Sequence, residues 1–243
     1  MWLKITKNYS PNFSLPKRFK NNIKYIIIHY TGMKKESSAI KRLCDFNSKV
    51  SAHYLIKKNG EILNLVPDLY EAWHAGKSSW KTLKSLNKKS IGIEIQNSGH
   101  DFKYEDFSLK QMNSLKKLLK KLIKFYKIKQ NDILGHSDIA PDRKKDPGEK
   151  FPWKSLAKFK LAKWHSLNEK KIKKFKLIKL DTLGKKQFLK NLYRIGYSKA
   201  KKVKLNYNNK ILVKAFQRRY RQDLINGKLD QECLMISKSL LKK

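Results

Sequence analysis

The feature that most constrains the fold is a short, nearly continuous apolar segment at residues 24–31, Lys-Tyr-Ile-Ile-Ile-His-Tyr-Thr. Such a β-branched run predicts a strand buried on both faces, inside a sheet with parallel pairing. Further strands are predicted at 90–95 and 133–136. Between them an amphipathic helix begins after Ser108, with Gln111 completing a capping box. Alternating strands and helices indicate an α/β fold, with a mixed central β-sheet flanked by helices.

The chain divides into four predicted segments. Residues 1–22 are polar, contain two prolines and are predicted to form an extended N-terminal arm. Residues 23–166 contain the strands and the long helix and form the α/β domain. Residues 167–178 are rich in lysine and are predicted to be a linker. Residues 179–243 contain three short helical segments, which indicate a small all-α three-helix domain that is able to fold alone.

Finer features of the chain are also predicted. Asn59-Gly60 is a strong turn signal between two apolar runs, so residues 53–67 are expected to contain a hairpin. Residues 153–165 are expected to form a helix that closes the α/β domain. Cys44 and Cys233 lie far apart in apolar helical contexts, which favours buried free thiols over a disulfide.

The formal net charge of +39 is extreme for a chain of 243 residues. Dense positive charge attracts polyanions such as nucleic acids. However, only seven of the 58 basic residues are arginine, and the lysines are spread along the whole chain. Sites that read phosphates or bases usually favour arginine, because its planar guanidinium binds bidentately. We therefore interpret most of the lysines as surface residues and expect no specific nucleic-acid partner.

The sequence contains no segment that resembles a transmembrane span of about 20 apolar residues. The first seven residues carry charge but lack the apolar stretch of a secretory signal. These two observations predict that the chain has no transmembrane segment and that its location is cytoplasmic.

Two histidines and one aspartate lie where metal ligands are often found. His29 lies late in the first buried strand and His136 ends another, and open α/β sheets place their sites at such strand ends. Asp146 follows in a loop held by Pro147 and Gly148. Two imidazoles and a carboxylate, with a fourth position open to water, are typical of catalytic zinc. On spacing alone, a structural role as buried, hydrogen-bonded histidines is more common for such residues than metal binding.

A family resemblance favours metal binding over a purely structural role for these residues. The segments that carry it, in chain order, are 28–31 (Ile-His-Tyr-Thr), 50–56 (Val-Ser-Ala-His-Tyr-Leu-Ile), 72–76 (Ala-Trp-His-Ala-Gly), 90–95 (Ser-Ile-Gly-Ile-Glu-Ile) and 135–153, which begins Gly-His-Ser-Asp-Ile-Ala-Pro. The region from about 20 to 160 resembles zinc-dependent N-acetylmuramoyl-L-alanine amidases of the AmpD and AmiD type. These enzymes are relatives of the peptidoglycan recognition proteins.

The resemblance implies a role for each matching residue. His29, His136 and Asp146 are expected to bind one zinc ion per chain. Glu94 is expected to be the general base, and Lys144 to stabilise the charge that develops on the reacting carbonyl. The implied reaction is hydrolysis of the amide that joins the lactyl group of N-acetylmuramic acid, or of its anhydro form, to L-Ala of the stem peptide. This reaction belongs to peptidoglycan turnover or recycling.

Three further residues are weaker candidates for the substrate groove. The resemblance places His74 and Trp73 in a matching segment, where they are expected to contact substrate or to pack in the core. His53 is also a substrate-binding candidate, although an orienting hydrogen bond or a core position is the alternative.

The C-terminal domain resembles three-helix peptidoglycan-binding domains. Its matching segments are 188–197, 213–221 and 225–230. The partners implied by both resemblances are peptidoglycan or muropeptides, and the chain is expected to be a monomer. The periplasm is an alternative location, because the implied substrate class lies partly there.

Three functions compete at this point. The first is an active zinc amidase, which the joint presence of all three expected ligands with Glu94 and Lys144 favours. The second is a non-catalytic peptidoglycan recognition protein on the same scaffold, for which a lost ligand would be the signature. The third is a nucleic-acid-binding protein, which the charge suggests but no recognisable reading motif supports.

Overall fold

The computed structural model describes residues 3–198 and 205–242. Parts of the predicted N-terminal arm (1–2) and of the predicted three-helix domain (199–204 and 243) lie outside the described residues. The strands in the described chain are β1 (Ile5–Lys7), β2 (Phe13–Ser14), β3 (Tyr25–Tyr30), β4 (Tyr54–Ile56), β5 (Ile62–Asn64), β6 (Glu71–Ala72), β7 (Ser79–Trp80), β8 (Leu83–Lys84), β9 (Ser90–Ile95) and β10 (Ile133–Gly135). The α-helices are α1 (Glu36–Cys44), α2 (Leu109–Tyr126), α3 (His136–Ile139), α4 (Trp153–Lys158), α5 (Glu169–Ile172), α6 (Thr182–Ile195), α7 (Leu205–Tyr220) and α8 (Gln231–Leu240).

The central sheet has six strands in the order β1-β5-β4-β9-β3-β10. All neighbouring strands are parallel except the hairpin pair β4 and β5, so the predicted mixed sheet is confirmed. The strand predicted from the apolar run, β3, pairs with β9 along its whole length and with β10 on its other side. Residues 25–29 are all buried, as expected for an interior strand with parallel neighbours.

Successive side chains of β9 point alternately to two faces of the sheet, one packed in the core and one that carries the candidate site. Its three isoleucines pack with the leucines of α2 in the larger hydrophobic core. Successive side chains of a strand point to opposite faces, so Ser90, Gly92 and Glu94 share the other face. A second core on that side contains Ile27 and Leu134 of the sheet together with residues of the C-terminal helices.

Two local predictions are confirmed in detail. The hydroxyl of Ser108 accepts a hydrogen bond from the amide of Gln111, and the Gln111 side chain accepts one from the amide of Ser108, which forms the capping box of α2. The Asn59-Gly60 turn joins β4 to β5, and Gly60 has a φ of +87°. Glycine adopts such a positive φ without steric cost.

The predicted N-terminal arm is instead part of the folded sheet. β1 pairs in parallel with β5 as the edge strand, and β2 pairs with β6. Arg18 is held inside the molecule, where its guanidinium donates to the carbonyl oxygens of Asn87 at 2.8 Å and Ser90 at 2.7 Å. A three-residue strand has too few positions to show a period, so its pairing was not visible in the sequence.

The C-terminal helices occur as predicted, but they do not form a separate core. Phe188 of α6 and Phe216 of α7 are fully buried in the same cluster as Ile27 and Leu134 of the sheet. The predicted linker, 167–178, is also ordered and contains α5. The predicted helix 153–165 is shorter than expected, because α4 ends at Lys158.

A buried ion pair joins the helical region to the sheet. The carboxylate of Asp138 in α3 accepts hydrogen bonds from Arg219 of α7 and from the hydroxyl of Tyr197 at 2.7 Å. Arg219 also donates to the carbonyl oxygen of Ile133 in β10 at 2.8 Å. The segment that begins with His136 is therefore fixed by the C-terminal helices.

Two remaining sequence predictions concern thiols and membranes. Both Cys44 and Cys233 are free, and Cys233 is buried while Cys44 is partly exposed. Among the helices of the described chain, none combines the length and the apolar character needed to cross a membrane.

Candidate active site

Three predicted ligands from distant parts of the chain converge at one point. His29 Nδ1 lies 3.0 Å from His136 Nδ1 and 3.0 Å from Asp146 Oδ2. His136 Nδ1 lies 3.1 Å from the same carboxylate oxygen. All three side chains are buried, and together they form a possible metal site.

The fold explains why these residues meet. His29 is near the end of β3, and β10 pairs with β3 so that Gly135 lies opposite Ile28. The next residue, His136, begins α3 instead of ending the strand, and this turn directs it over the end of β3. The amide of Ser137 donates to the carbonyl oxygen of Asp146 at 2.8 Å, which ties the following loop to the same place.

The surroundings of the cluster favour a neutral imidazole beside an ionised carboxylate. Burial, followed by the charge of His136, lowers the pKa of His29 to about 4. Burial raises the pKa of Asp146, but hydrogen bonds and charge interactions with His136 and His29 outweigh it and lower that pKa overall. Neutral imidazole and ionised carboxylate are the forms that bind a metal.

Glu94 lies beside this cluster on the neighbouring strand. It is the register partner of His29 in the β3–β9 pair, so the two side chains share a face of the sheet. Its Oε2 atom is buried and makes no hydrogen bond within the described residues. Burial, and next the charge of Asp146, raise the pKa of Glu94 well above its usual value, while Lys144 opposes the shift.

Lys144 lines the same cleft. It follows α3 in the loop that leads to Asp146, and its amide donates to the carbonyl oxygen of Ala140 at 3.0 Å. Its ammonium lines the cleft with His29, Glu94 and Asp146, and its charge acts on Glu94. A cation therefore stands next to the possible metal site and the buried carboxyl.

Comparison with known proteins places the chain in a family. Residues 19–149 match the sequence profile of the family N-acetylmuramoyl-L-alanine amidase. The chain is 35% identical over 233 residues to N-acetylmuramoyl-L-alanine amidase AmiD of Escherichia coli (strain K12), which covers 91% of this chain and 83% of that protein. The chain belongs to the N-acetylmuramoyl-L-alanine amidase family. The predicted enzyme class and the resemblance of the catalytic region are therefore confirmed.

Solved structures of relatives have the same fold over almost the whole amidase. A complex of AmiD from E. coli with anhydro-N-acetylmuramic acid-L-Ala-D-γ-Glu-L-Lys has a TM-score of 0.80 and 33% identity, covering 90% of this chain and 89% of that one. AmpDh3 from Pseudomonas aeruginosa has a TM-score of 0.79 and 29% identity, covering 95% of both chains. These matches extend through the C-terminal helices and confirm the α/β fold followed by a helical region.

The candidate active-site cleft runs from the three converging ligands toward α1. Its lining includes Tyr30, Trp73 and Phe102 as well as the cations Lys34 and Arg42. Trp73 is fixed in place, because its indole N–H donates to the hydroxyl of Ser14 at 2.8 Å. Trp73 lines the cleft, and its contact with substrate stays a prediction. A second groove, at the opposite region around Phe125, contains none of the candidate residues.

His53 lies in the core, whereas His74 lines the cleft and also contacts His29. His53 is completely buried, its Nδ1 accepts a hydrogen bond from the amide of Gly92 at 3.0 Å, and its Nε2 lies 3.0 Å from the carbonyl oxygen of Tyr70. A substrate contact by His53 is therefore corrected to a core position. His74 is only 8% exposed and contacts His29 directly, at 3.1 Å between His74 Nδ1 and His29 Nε2.

Sequence reasoning missed the residues that surround the two imidazole ligands. Ser90 contacts His74, and the carbonyl oxygen of Ala75 lies 3.2 Å from His136 Nε2. Arg143 donates to the same carbonyl oxygen at 2.6 Å. One signal was present in the sequence, because a glycine inside a strand, here Gly92, often marks a close approach of another group.

Proposed function

We propose that this amidase hydrolyses the amide between the lactyl group of anhydro-N-acetylmuramic acid and L-Ala of the stem peptide. The observation that carries the proposal is the convergence of His29, His136 and Asp146 beside Glu94, whose Oε2 atom is buried. The substrate follows from the relatives, because AmiD and AmpDh3 have both been solved with anhydromuramic peptides. A cytoplasmic location, with the periplasm as the alternative, and a monomeric state remain predictions.

The three converging residues suit one zinc ion. Zinc with bonds of about 2.0–2.1 Å in tetrahedral geometry places its ligand atoms about 3.3 Å apart. The ligand atoms of His29, His136 and Asp146 are separated by 3.0 to 3.1 Å. Two nitrogens and one oxygen are also a donor set typical of catalytic zinc. When bound, zinc supplies Lewis-acid chemistry that makes water a strong nucleophile near neutral pH.

Glu94 is proposed as the general base. It faces the same side of the sheet as His29, and its Oε2 has no competing hydrogen bond in the described chain. A carboxyl with a raised pKa can take a proton from the attacking water and return it to the departing nitrogen of L-Ala. Both transfers require only that water and substrate lie in the cleft beside this oxygen.

Lys144 is proposed to stabilise the oxygen of the scissile carbonyl. Attack by water turns that oxygen into an anion, and a fixed positive charge beside it lowers the barrier. The remaining cleft also suits the peptide. A γ-linked glutamate keeps a free carboxylate, and the cleft presents Lys34, Lys35 and Arg42 as cations for it.

The direct test is mass spectrometry of products from purified anhydromuropeptide and, in parallel, from intact sacculi. We expect release of free stem peptide, its loss on treatment with a chelator, and its return when zinc is added. Release from the soluble fragment alone assigns the enzyme to recycling, and release from sacculi assigns it to turnover of the wall. Tight binding without any product would instead support the non-catalytic recognition protein.

The C-terminal helices are proposed to assist binding to peptidoglycan, as their resemblance to wall-binding domains implies. A pull-down with sacculi tests this point. Wild-type protein is expected to remain bound at a salt concentration that removes purely electrostatic association of a chain with a net charge of +39. Complete release at moderate salt would leave charge as the sole cause of binding.

A further inference from the structure

A series of hydrogen bonds runs from the backbone to the candidate ligand His29. The hydroxyl of Ser90 donates to the carbonyl oxygen of Leu86 at 2.7 Å. The same hydroxyl oxygen lies 3.3 Å from Nε2 of His74. Nδ1 of His74 in turn lies 3.1 Å from Nε2 of His29. The side chains of Ser90, His74 and His29 are all buried, so water does not compete for their hydrogen-bonding groups.

The carbonyl oxygen at the start of this series sets the direction of the hydrogen bonds that follow it. A carbonyl oxygen only accepts, so the Ser90 proton points to Leu86 and its oxygen must accept from His74 Nε2–H. A neutral imidazole has one N–H, so Nδ1 of His74 is a bare acceptor. His29 must then donate from Nε2–H. Its own Nδ1 then presents a lone pair to the point where the three ligands converge, and the carboxylate of Asp146, 3.0 Å away, is the acceptor that competes for a proton there.

His136 is fixed in the same way by the adjacent residue. Its Nε2 lies 3.2 Å from the carbonyl oxygen of Ala75, which favours a proton on Nε2 and a lone pair on Nδ1, the atom that faces Asp146. Ala75 is itself held, because its amide donates to the side chain of Asn87 at 2.7 Å and its carbonyl oxygen accepts from Arg143. Two consecutive residues, His74 and Ala75, therefore orient both imidazoles of the cluster.

Gly92 supplies the space that His74 needs. A Cβ atom at position 92 would lie 2.3 Å from Cγ of His74, far inside van der Waals contact. Ser90, Gly92 and Glu94 are alternate residues on one face of β9. The same strand thus anchors the imidazole of His74, makes room for it and carries the proposed general base.

We propose that His74 and Ser90 are positioning residues that form a relay and hold His29 in the tautomer required for metal binding. This inference rests on the proposed zinc site and assigns His74 a role other than substrate contact. Residues that orient metal ligands from behind typically contribute 10- to 100-fold to metal affinity or activity. The pair acts through His29 and contributes none of the three converging ligand atoms.

The first test measures zinc affinity by competition with a chromogenic chelator, for the wild type and for His74→Ala and His74→Asn. We expect His74→Ala to weaken zinc binding about 10- to 100-fold. His74→Asn is expected to recover part of the loss, because its amide oxygen can accept from His29 Nε2–H. The control is His165→Ala, which removes another buried histidine, 7% exposed, outside the cluster.

The second test removes only the anchor of the relay. Ser90→Ala leaves His74 in place but removes the acceptor that fixes the proton of His74 on Nε2. Zinc affinity is therefore expected to fall, but by less than in His74→Ala. Ser237→Ala is a matched control, since Ser237 is equally buried, accepts from Asn191 Nδ2 at 2.9 Å and donates to a backbone carbonyl oxygen. Nitrogen-15 NMR of the metal-free protein measures the tautomer of His29 directly. In the wild type we expect the proton on Nε2. In Ser90→Ala we expect a mixture of the Nε2–H and Nδ1–H tautomers.

The outcomes separate this inference from the proposed function. Zinc affinities of the His74 and Ser90 variants within twofold of their controls would overturn the relay, whatever the enzyme activity. The relay is also overturned if His29 carries its proton on Nδ1 in the metal-free wild type. If the wild type binds zinc tightly through the relay but releases no stem peptide, the proposed reaction fails and the relay stands. Should His74→Ala fail to fold, the zinc affinity of Ser90→Ala and the tautomer measurement decide whether the relay exists.

Discussion

At the scale of single residues, the site is built by alternation along one strand. Ser90, Gly92 and Glu94 point to the functional side of the sheet because the isoleucines between them fill the core on the other side. The roles expected for Glu94 and Lys144 came from the resemblance, and both side chains line the cleft. The place of His74 behind His29 depends on a contact between residues 45 positions apart, which no local pattern reveals.

The residue whose substitution is most informative is Glu94. Glu94→Gln keeps the size of the side chain but cannot take a proton, so kcat is expected to fall about 10²- to 10⁴-fold. Zinc affinity is expected to remain, because Glu94 is not one of the three converging ligands. The control Glu105→Gln changes a partly exposed carboxylate that pairs with Lys58, and it should keep full activity. Near-normal turnover by Glu94→Gln, measured by release of stem peptide, would remove Glu94 from the general-base role.

At the scale of elements, long periodic or uniformly apolar segments were predictable and short ones were not. The range predicted for β9 matches the structure, and the capping box located the start of α2. β1 is only three residues long. It is stabilised by parallel pairing with β5, which lies more than 50 positions away in the chain. The closing helix was predicted too long, because its apolar pattern continues past α4 into residues that pack without helical hydrogen bonds.

The contact between α3 and α7 gives a prediction about stability. Arg219→Met removes the partner of buried Asp138, and an uncompensated buried charge typically costs about 3–5 kcal/mol in the free energy of unfolding. Arg194→Met, on the exposed side of α6, serves as control and is expected to change stability little. Urea unfolding measures both variants. Adding Asp138→Asn to Arg219→Met should recover part of the loss, and a fully additive double variant would show that the two residues do not interact.

At the scale of the whole molecule, the described C-terminal helices share a core with the sheet. The second core contains sheet residues such as Ile27 and Leu134 together with Phe188 and Phe216 of the C-terminal helices. The sequence predicted three helices correctly, since their periodicity is local. It did not predict that the apolar faces of these helices pack against the sheet. Packing between segments that are distant in the chain produces no periodic pattern in the sequence.

This shared core predicts cooperative unfolding. Calorimetry of the full chain is expected to show a single transition, since separating the helices from the sheet exposes the apolar residues of both. A shortened protein that ends at residue 166 is expected to aggregate or to melt well below the full chain, because the uncovered sheet face is apolar. Two well-separated transitions, or a soluble fragment with unchanged melting temperature, would show that the helices form an independent domain.

In this amidase His29, His136 and Asp146 are proposed to hold one metal ion. Crystals grown with zinc and measured on both sides of the zinc absorption edge test it most directly. We expect one strong anomalous peak per chain, about 2.0–2.2 Å from His29 Nδ1, His136 Nδ1 and Asp146 Oδ2. A crystal with no peak at this point, or with zinc bound only elsewhere, would contradict the account.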